Sequence, residues 1–226
     1  MELIQPILMI NKVDRAFFEL KQNSEDIYQQ FQRVIESFNV IVSTYQKPDL
    51  DKDCQVDPVK GNVAMGSAYY GFGFSVYSFA KIYSKKFGTN ISKLLDVLWG
   101  DNYYNGKKFT KEPVEGSTRS FCNLVIDPVM KLAQTLHAGK KEAIVEILNR
   151  YKINIDSKDY ELESKQLIRK VFQNWIDVAD VLIEMIILHL PSPKQAQKYR
   201  ASYLYEGPQD DECAIVTGKQ IGRAHV

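Results

Sequence analysis

The chain has 226 residues, with 29 Lys and Arg against 28 Asp and Glu and 45% hydrophobic residues. That is long enough for a sizeable core, and a formal charge of +1 excludes both a bulk basic nucleic-acid binder and an acidic solvating tail. Its 13 Tyr and 11 Phe exceed what a disordered chain carries. Cys54, Cys122 and Cys213 are odd in number and form no CxxC, so neither a disulfide framework nor a zinc site is expected, and a reduced, cytoplasmic compartment fits. The first twelve residues have no basic n-region, and their apolar stretch is broken by Gln5 and Pro6, which does not read as a signal peptide. The longest other apolar run, Val181 to Leu190, is interrupted by Glu184 and His189, so no membrane partner is expected.

In chain order, Ile7-Leu8-Met9-Ile10 is a short apolar run ending sharply at Asn11, the pattern of a buried strand in a parallel sheet, with a site expected at its carboxyl end. Ser24 is placed to cap a long amphipathic helix carrying Glu25 and Asp26 in its first turn and Ile27, Phe31, Val34, Ile35, Phe38, Ile41 and Val42 at helical spacing. Asn62-Val63-Ala64-Met65, closed by Gly66, reads as a second strand, and strand, helix, strand implies an α/β sheet. A helix from Phe74 to Phe87 stops at Gly88, and a short one spans Ser92 to Trp99. Asn105-Gly106 between aromatic-bearing runs signals a hairpin. Helical patterns follow at about 118–137, with a break or kink at Pro128, and at about 140–151, 164–174 and 176–190.

The sharpest local signal is Asn11-Lys12-Val13-Asp14, an N-K-x-D sequence directly after a strand. Guanine presents N1–H and N2–H side by side, and one carboxylate accepts both, so Asp14 would read guanine against adenine. The Asn11 amide suits the purine edge and a neighbouring loop, and the Lys12 stem suits the ring face. Four common residue types coincide this way by chance in on the order of a few per cent of chains this long, and the strand context narrows that. The second half of such a site would be the loop after the next strand, here Gly66-Ser67-Ala68, whose backbone N–H would meet the base oxygen. A phosphate-binding G-x-x-x-x-G-K-[ST] loop is not present: Gly61 and Gly66 have the spacing, but Ser67 stands where the lysine belongs.

These residues carry a resemblance. Asn11 to Leu20, Asn39 to Tyr45, Leu98-Trp99-Gly100-Asp101, Ile126-Asp127-Pro128, Glu184 to Pro193 and Leu204 to Pro208 are similar to the translational GTPases of the eukaryotic elongation factor 2 type, over about residues 1–213. The resemblance implies an α/β fold: the C-terminal part of a P-loop-type GTPase domain, a parallel sheet with flanking helices, carrying a helix-rich inserted subdomain. It divides the chain into the C-terminal part of the GTP-binding domain (1–91), the insert (92–175), the final helix of the GTP-binding domain (176–200) and a linker into a β-barrel (201–220). It implies a GTPase that promotes ribosomal translocation, with GTP and GDP as ligands. Magnesium would bind in the longer protein to residues this chain does not contain, as would the catalytic groups. Partners would be the ribosome, including stalk proteins facing the insert, and neither membrane nor DNA. The base-contacting positions would be Asn11, Lys12, Asp14, Ser67, Ala68 and Tyr69, with Ala68-Tyr69 departing from the usual Gly-Leu. Residues 221–226 have no counterpart and, written as codons, match a common sequencing adapter, so the tail is read as an artefact.

Beside this stand a paralogous GTPase of ribosome maturation or splicing and a non-hydrolytic helical interaction module. His137 and His189 have no second ligand at helical spacing and read as surface or core histidines. The cluster Tyr69 to Phe74 reads mainly as core packing, with Tyr69 close enough to the loop to touch a base. The pairs Lys85-Lys86, Lys107-Lys108 and Lys140-Lys141 read as solvated.

Overall fold

A computed structural model describes residues 5–45, 54–208 and 212. Cys213, the adapter-like tail 221–226 and most of the linker 201–220 lie outside the described residues. The architecture is α/β, with helices far outweighing strands.

The main sheet has three strands in the order β1 (Leu8–Ile10), β2 (Val63–Ser67), β3 (Phe72–Ser75). β1 and β2 are parallel, as expected, with Leu8 opposite Val63 and Ile10 opposite Met65. β2 and β3 form an antiparallel hairpin pairing Gly66 with Gly73, so the sheet is mixed rather than parallel. Alternation along the strands sends successive side chains to opposite faces. Leu8, Ile10, Val63, Met65, Phe72 and Phe74 belong to the main core, while Ile7, Met9 and Ala64 meet Val181, Leu182 and Met185 on the other face.

Two sequence boundaries move here. Gly66 does not end β2 but lies inside it, paired with Gly73, and only glycine fits there because a Cβ would run into the Phe72 carbonyl oxygen. The Tyr-Gly-Phe-Gly-Phe stretch, read as the approach to a helix, contains β3, and α3 (Val76–Phe87) begins only after the Ser75 cap, whose side chain accepts from Ser78 N–H.

The short helix α1 (Val13–Phe18) follows β1 directly, and α2 (Ser24–Tyr45) follows it. The cap of α2 is Asn23 rather than Ser24: Asn23 Oδ1 accepts from Asp26 N–H at 2.8 Å. α4 (Ile91–Leu98) leads to a second small sheet, in which β4 (Tyr103–Tyr104) lies between β5 (Phe109–Thr110) and β6 (Thr118–Arg119). The β4–β5 hairpin turns at Asn105-Gly106, where Gly106 adopts φ +88°. The expected helix over 118–137 is interrupted: β6 comes first, then a π-helical turn at Cys122–Ile126, then α5 (Asp127–Ala138). Pro128 therefore stands in the first turn of α5, where its missing N–H costs nothing, and does not kink a helix interior.

α6 (Lys141–Tyr151), α7 (Ser164–Gln173), α8 (Val178–His189) and α9 (Pro193–Leu204) complete the fold. One continuous cluster of buried side chains runs from Val13 through α2, the sheet, α5 and α7 to Ile176, so residues 92–175 share a core with the sheet. At its centre Phe72 lies between Phe17 and Phe172, at ring-centroid distances of 6.4 and 4.6 Å. α8 covers the opposite face. Gly73 N–H donates to the Ile176 carbonyl at 3.0 Å, and α8 comes so close that a Cβ on Gly73 would lie 3.0 Å from Val178 Cα.

Candidate functional site

The chain leaves β1 at Ile10 and turns at once, with Lys12 in the left-handed region at φ 67°, ψ 31°, as the residue preceding α1. For a side chain other than glycine this costs roughly 1–2 kcal/mol. The turn is held by Asn11 Oδ1, which accepts Lys12 N–H at 2.7 Å, and by Arg15 N–H donating to the Lys12 carbonyl at 3.2 Å. Strain of this kind concentrates at binding sites.

The second half of the cleft is the tip of the β2–β3 hairpin. Ser67 ends β2 fully buried; its carbonyl accepts from Gly71 N–H at 2.8 Å and its Oγ from Tyr70 N–H at 3.2 Å, closing the loop Ala68-Tyr69-Tyr70-Gly71. Gly71, at φ 73°, supplies the positive φ this turn requires. The same Asn11 Oδ1 also accepts Ala68 N–H at 3.0 Å, across 57 positions of sequence. One amide thus fixes both halves together, and the donor reserved in the sequence for a base oxygen is engaged with Asn11.

Asn11, Lys12 and Asp14 line a cleft of about 500 Å³ with Arg15, Phe18, Glu19, Ser67, Tyr69 and Tyr70, and exposed Ala68 sits at its edge. All six residues picked from the sequence therefore come together. Asp14 Oδ1 is buried and has no hydrogen-bond partner among the described residues. A buried carboxylate oxygen left this way costs free energy that a ligand donor would recover. Burial raises the Tyr70 hydroxyl above its ordinary range, with Tyr69 and Asp14 adding to it. At the rim Arg15 and Glu19 pair at 2.8 Å.

Sequence reasoning missed what flanks the loop behind the cleft. Lys165 Nζ lies 3.7 Å from the centroid of the Tyr69 ring, and the Arg169 and Gln173 side chains approach Gly71. These three sit four residues apart along α7, so one polar face of that helix covers the loop. Their spacing was visible, but nothing local tied it to a loop about a hundred residues earlier. Phe18 closes the floor against Tyr70 and His137, at 5.5 and 4.9 Å between ring centroids.

The remaining candidates do not line the cleft. His137 packs on Phe18, and His189 meets Gly61 at the far end of α8, where burial holds its imidazole below the ordinary range. Cys122 is buried with its thiol pushed up by burial, and Cys54 is half-buried in a loop. Among the described residues no group of three His, Cys, Asp or Glu side chains could hold a metal, and no helix is long and apolar enough to cross a membrane. The lining of the cleft offers a carboxylate acceptor, an amide, the Lys12 and Arg15 cations and an aromatic wall. No protein-family model matches the chain.

Proposed function

We propose that the chain is part of a translational GTPase of the elongation factor 2 type and that this cleft reads the guanine base of GTP and GDP. One observation supports the reading above the rest: Asn11 joins both halves of the motif through Ala68 N–H, and in the cleft so formed Asp14 Oδ1 has no partner among the described residues. The N1–H and N2–H of guanine form a donor pair for that carboxylate, whereas adenine has no such edge. The aliphatic stem of Lys12 covers one face of the ring, Tyr69 stands on another side, and the base oxygen shares Ala68 N–H with Asn11.

In this reading the chain contributes base selectivity, while phosphate binding, magnesium and water attack on the γ-phosphate belong to residues of the longer, cytoplasmic protein. Residues 92–175 are the surface toward the ribosome and its stalk. The reading also accounts for apolar surface: β1 pairs only with β2 among the described residues, and Ile183, Ile186, Ile187 and Leu188 are exposed on α8, as expected where more of the domain would pack. That same exposed α8 face favours the helical interaction module as the second reading.

The test is Asp14→Asn. The wild-type chain should prefer GMP to AMP at millimolar concentration, followed by amide shifts of Asn11 and Ala68, and the variant should turn that preference toward XMP. With phosphate contacts missing, GDP should bind the chain far more weakly than micromolar. An unaltered base preference in Asp14→Asn would overturn the base-reading role, and no guanine preference at all would favour the interaction module.

A further inference from the structure

The proposed base site is built from residues 11–14 and 67–69, yet its loop is covered by a helix from the segment 92–175. Lys165, Arg169 and Gln173 form the covering face, and of these Lys165 makes the defined contact: its ammonium lies over the Tyr69 ring at 3.7 Å. Tyr69 is 57% exposed and edge-on to Tyr70 at 4.9 Å between centroids, so its orientation depends on few neighbours. Tyr69 lines the same cleft as Asp14.

We propose that Lys165 is a positioning residue for guanine-nucleotide binding: by holding the Tyr69 ring from α7 it sets an aromatic wall for the purine and couples occupancy of the cleft to the helical segment. The inference rests on the guanine reading above. Its physical basis is the attraction of a cation to the ring face, which fixes the ring plane before a base arrives and so lowers the ordering cost of binding. The reverse holds by linkage: a base stacked on Tyr69 favours the arrangement in which α7 sits over the loop. Surface that a partner reads on residues 92–175 would then report whether the base site is filled.

The experiment is a double-mutant cycle on the chain itself, with GMP and AMP as probes and the amides of Asn11 and Ala68 as reporters. Lys165→Met keeps the stem and removes the charge, and should weaken GMP binding about three-fold, the scale of an exposed cation–π contact. Lys165→Arg should restore it. In a Tyr69→Leu background, Lys165→Met should change nothing, because the partner is gone. A second reporter, the amides of α7, should shift on GMP binding in the wild type and not in Lys165→Met. If Lys165→Met binds GMP as the wild type does, or loses as much in the Tyr69→Leu background, the positioning role is overturned while guanine preference stands. If Asp14→Asn leaves base preference unaltered, the guanine reading falls and this inference with it.

Discussion

Arg119, a buried charge, and Asp14, a half-buried carboxylate with one buried oxygen, have opposite fates, and the contrast separates a structural clamp from the proposed base site. Arg119, 8% exposed at the end of β6, is held by partners inside the fold. Its Nε reaches both Glu25 oxygens at 3.1 Å, and its Nη1 reaches the Gly100 carbonyl and Asp101 Oδ1 at 2.9 Å. Its guanidinium lies 4.2 Å from the Tyr28 ring centroid. Burial alone would lower the Arg119 pKa, but these hydrogen bonds outweigh it, and the group stays charged. Burial pushes Tyr28 up to about 12. Asp14 is the reverse case: Oδ1 is buried and no described residue bonds to it. A completed ion pair stitches α2 to β6, whereas Asp14 Oδ1 lacks a partner among the described residues, at the place where the proposed guanine donors would bond.

The largest expected effect tests the scaffold of the open site. Gly66→Ala would drive a Cβ to 2.2 Å from the Phe72 carbonyl oxygen and 2.8 Å from Gly73 Cα, both backbone. The hairpin that carries the base loop cannot give way cheaply, so the variant should lose about 3 kcal/mol or more in urea unfolding. Next, Arg119→Met should cost about 2 kcal/mol, less than a fully buried pair because Glu25 and Asp101 are themselves partly solvated. The pH sign follows from Glu25: burial raises its pKa, but hydrogen bonds from Arg119 and Gln29 prevail and hold it below the usual 4.5. The unfolded chain then takes up its proton first as pH falls, so the clamp's contribution is present above pH 4.5 and is lost as pH falls through the folded value. Acid unfolding of Arg119→Met should lack that component. The smallest effect is the sharpest: Asp14→Asn should leave stability unchanged or raise it by about 1 kcal/mol, since a carboxylate unused by the fold is the kind of group whose removal is tolerated. A loss above about 2 kcal/mol would mean that Asp14 is structural, and the contrast would dissolve.

The sequence made much of this legible. The apolar run before Asn11, the helical spacing from Ile27 to Phe38, the Asn-Gly turn and the helices at 140–151, 164–174 and 176–190 each appear within a few residues of where they were read, because local periodicity reflects one buried face. The two segments that line the cleft were legible as well, since each lies at the end of a strand. β3 was not: Phe72-Gly73-Phe74 alternates aromatic with glycine, and glycine in a strand makes sense only once Gly66 and Val178 are seen to press on it. The interruption at 118–126 was hidden as well, because Arg119 ends a strand that pairs with Tyr103 while its side chain is held by Glu25 of α2.

By itself, then, the sequence determined the α/β character, most helices, and an N-K-x-D turn and a Ser-Ala loop that each follow a strand, all consequences of side chains close along the chain. Only the tertiary structure decided that β3 runs antiparallel, that Asn11 bonds Ala68, that Asp14 keeps a buried oxygen without a partner among the described residues, and that α7 brings Lys165 to Tyr69. Those are contacts across 57 or more positions or between whole elements, and their energies depend on burial and on which groups the fold leaves unpaired.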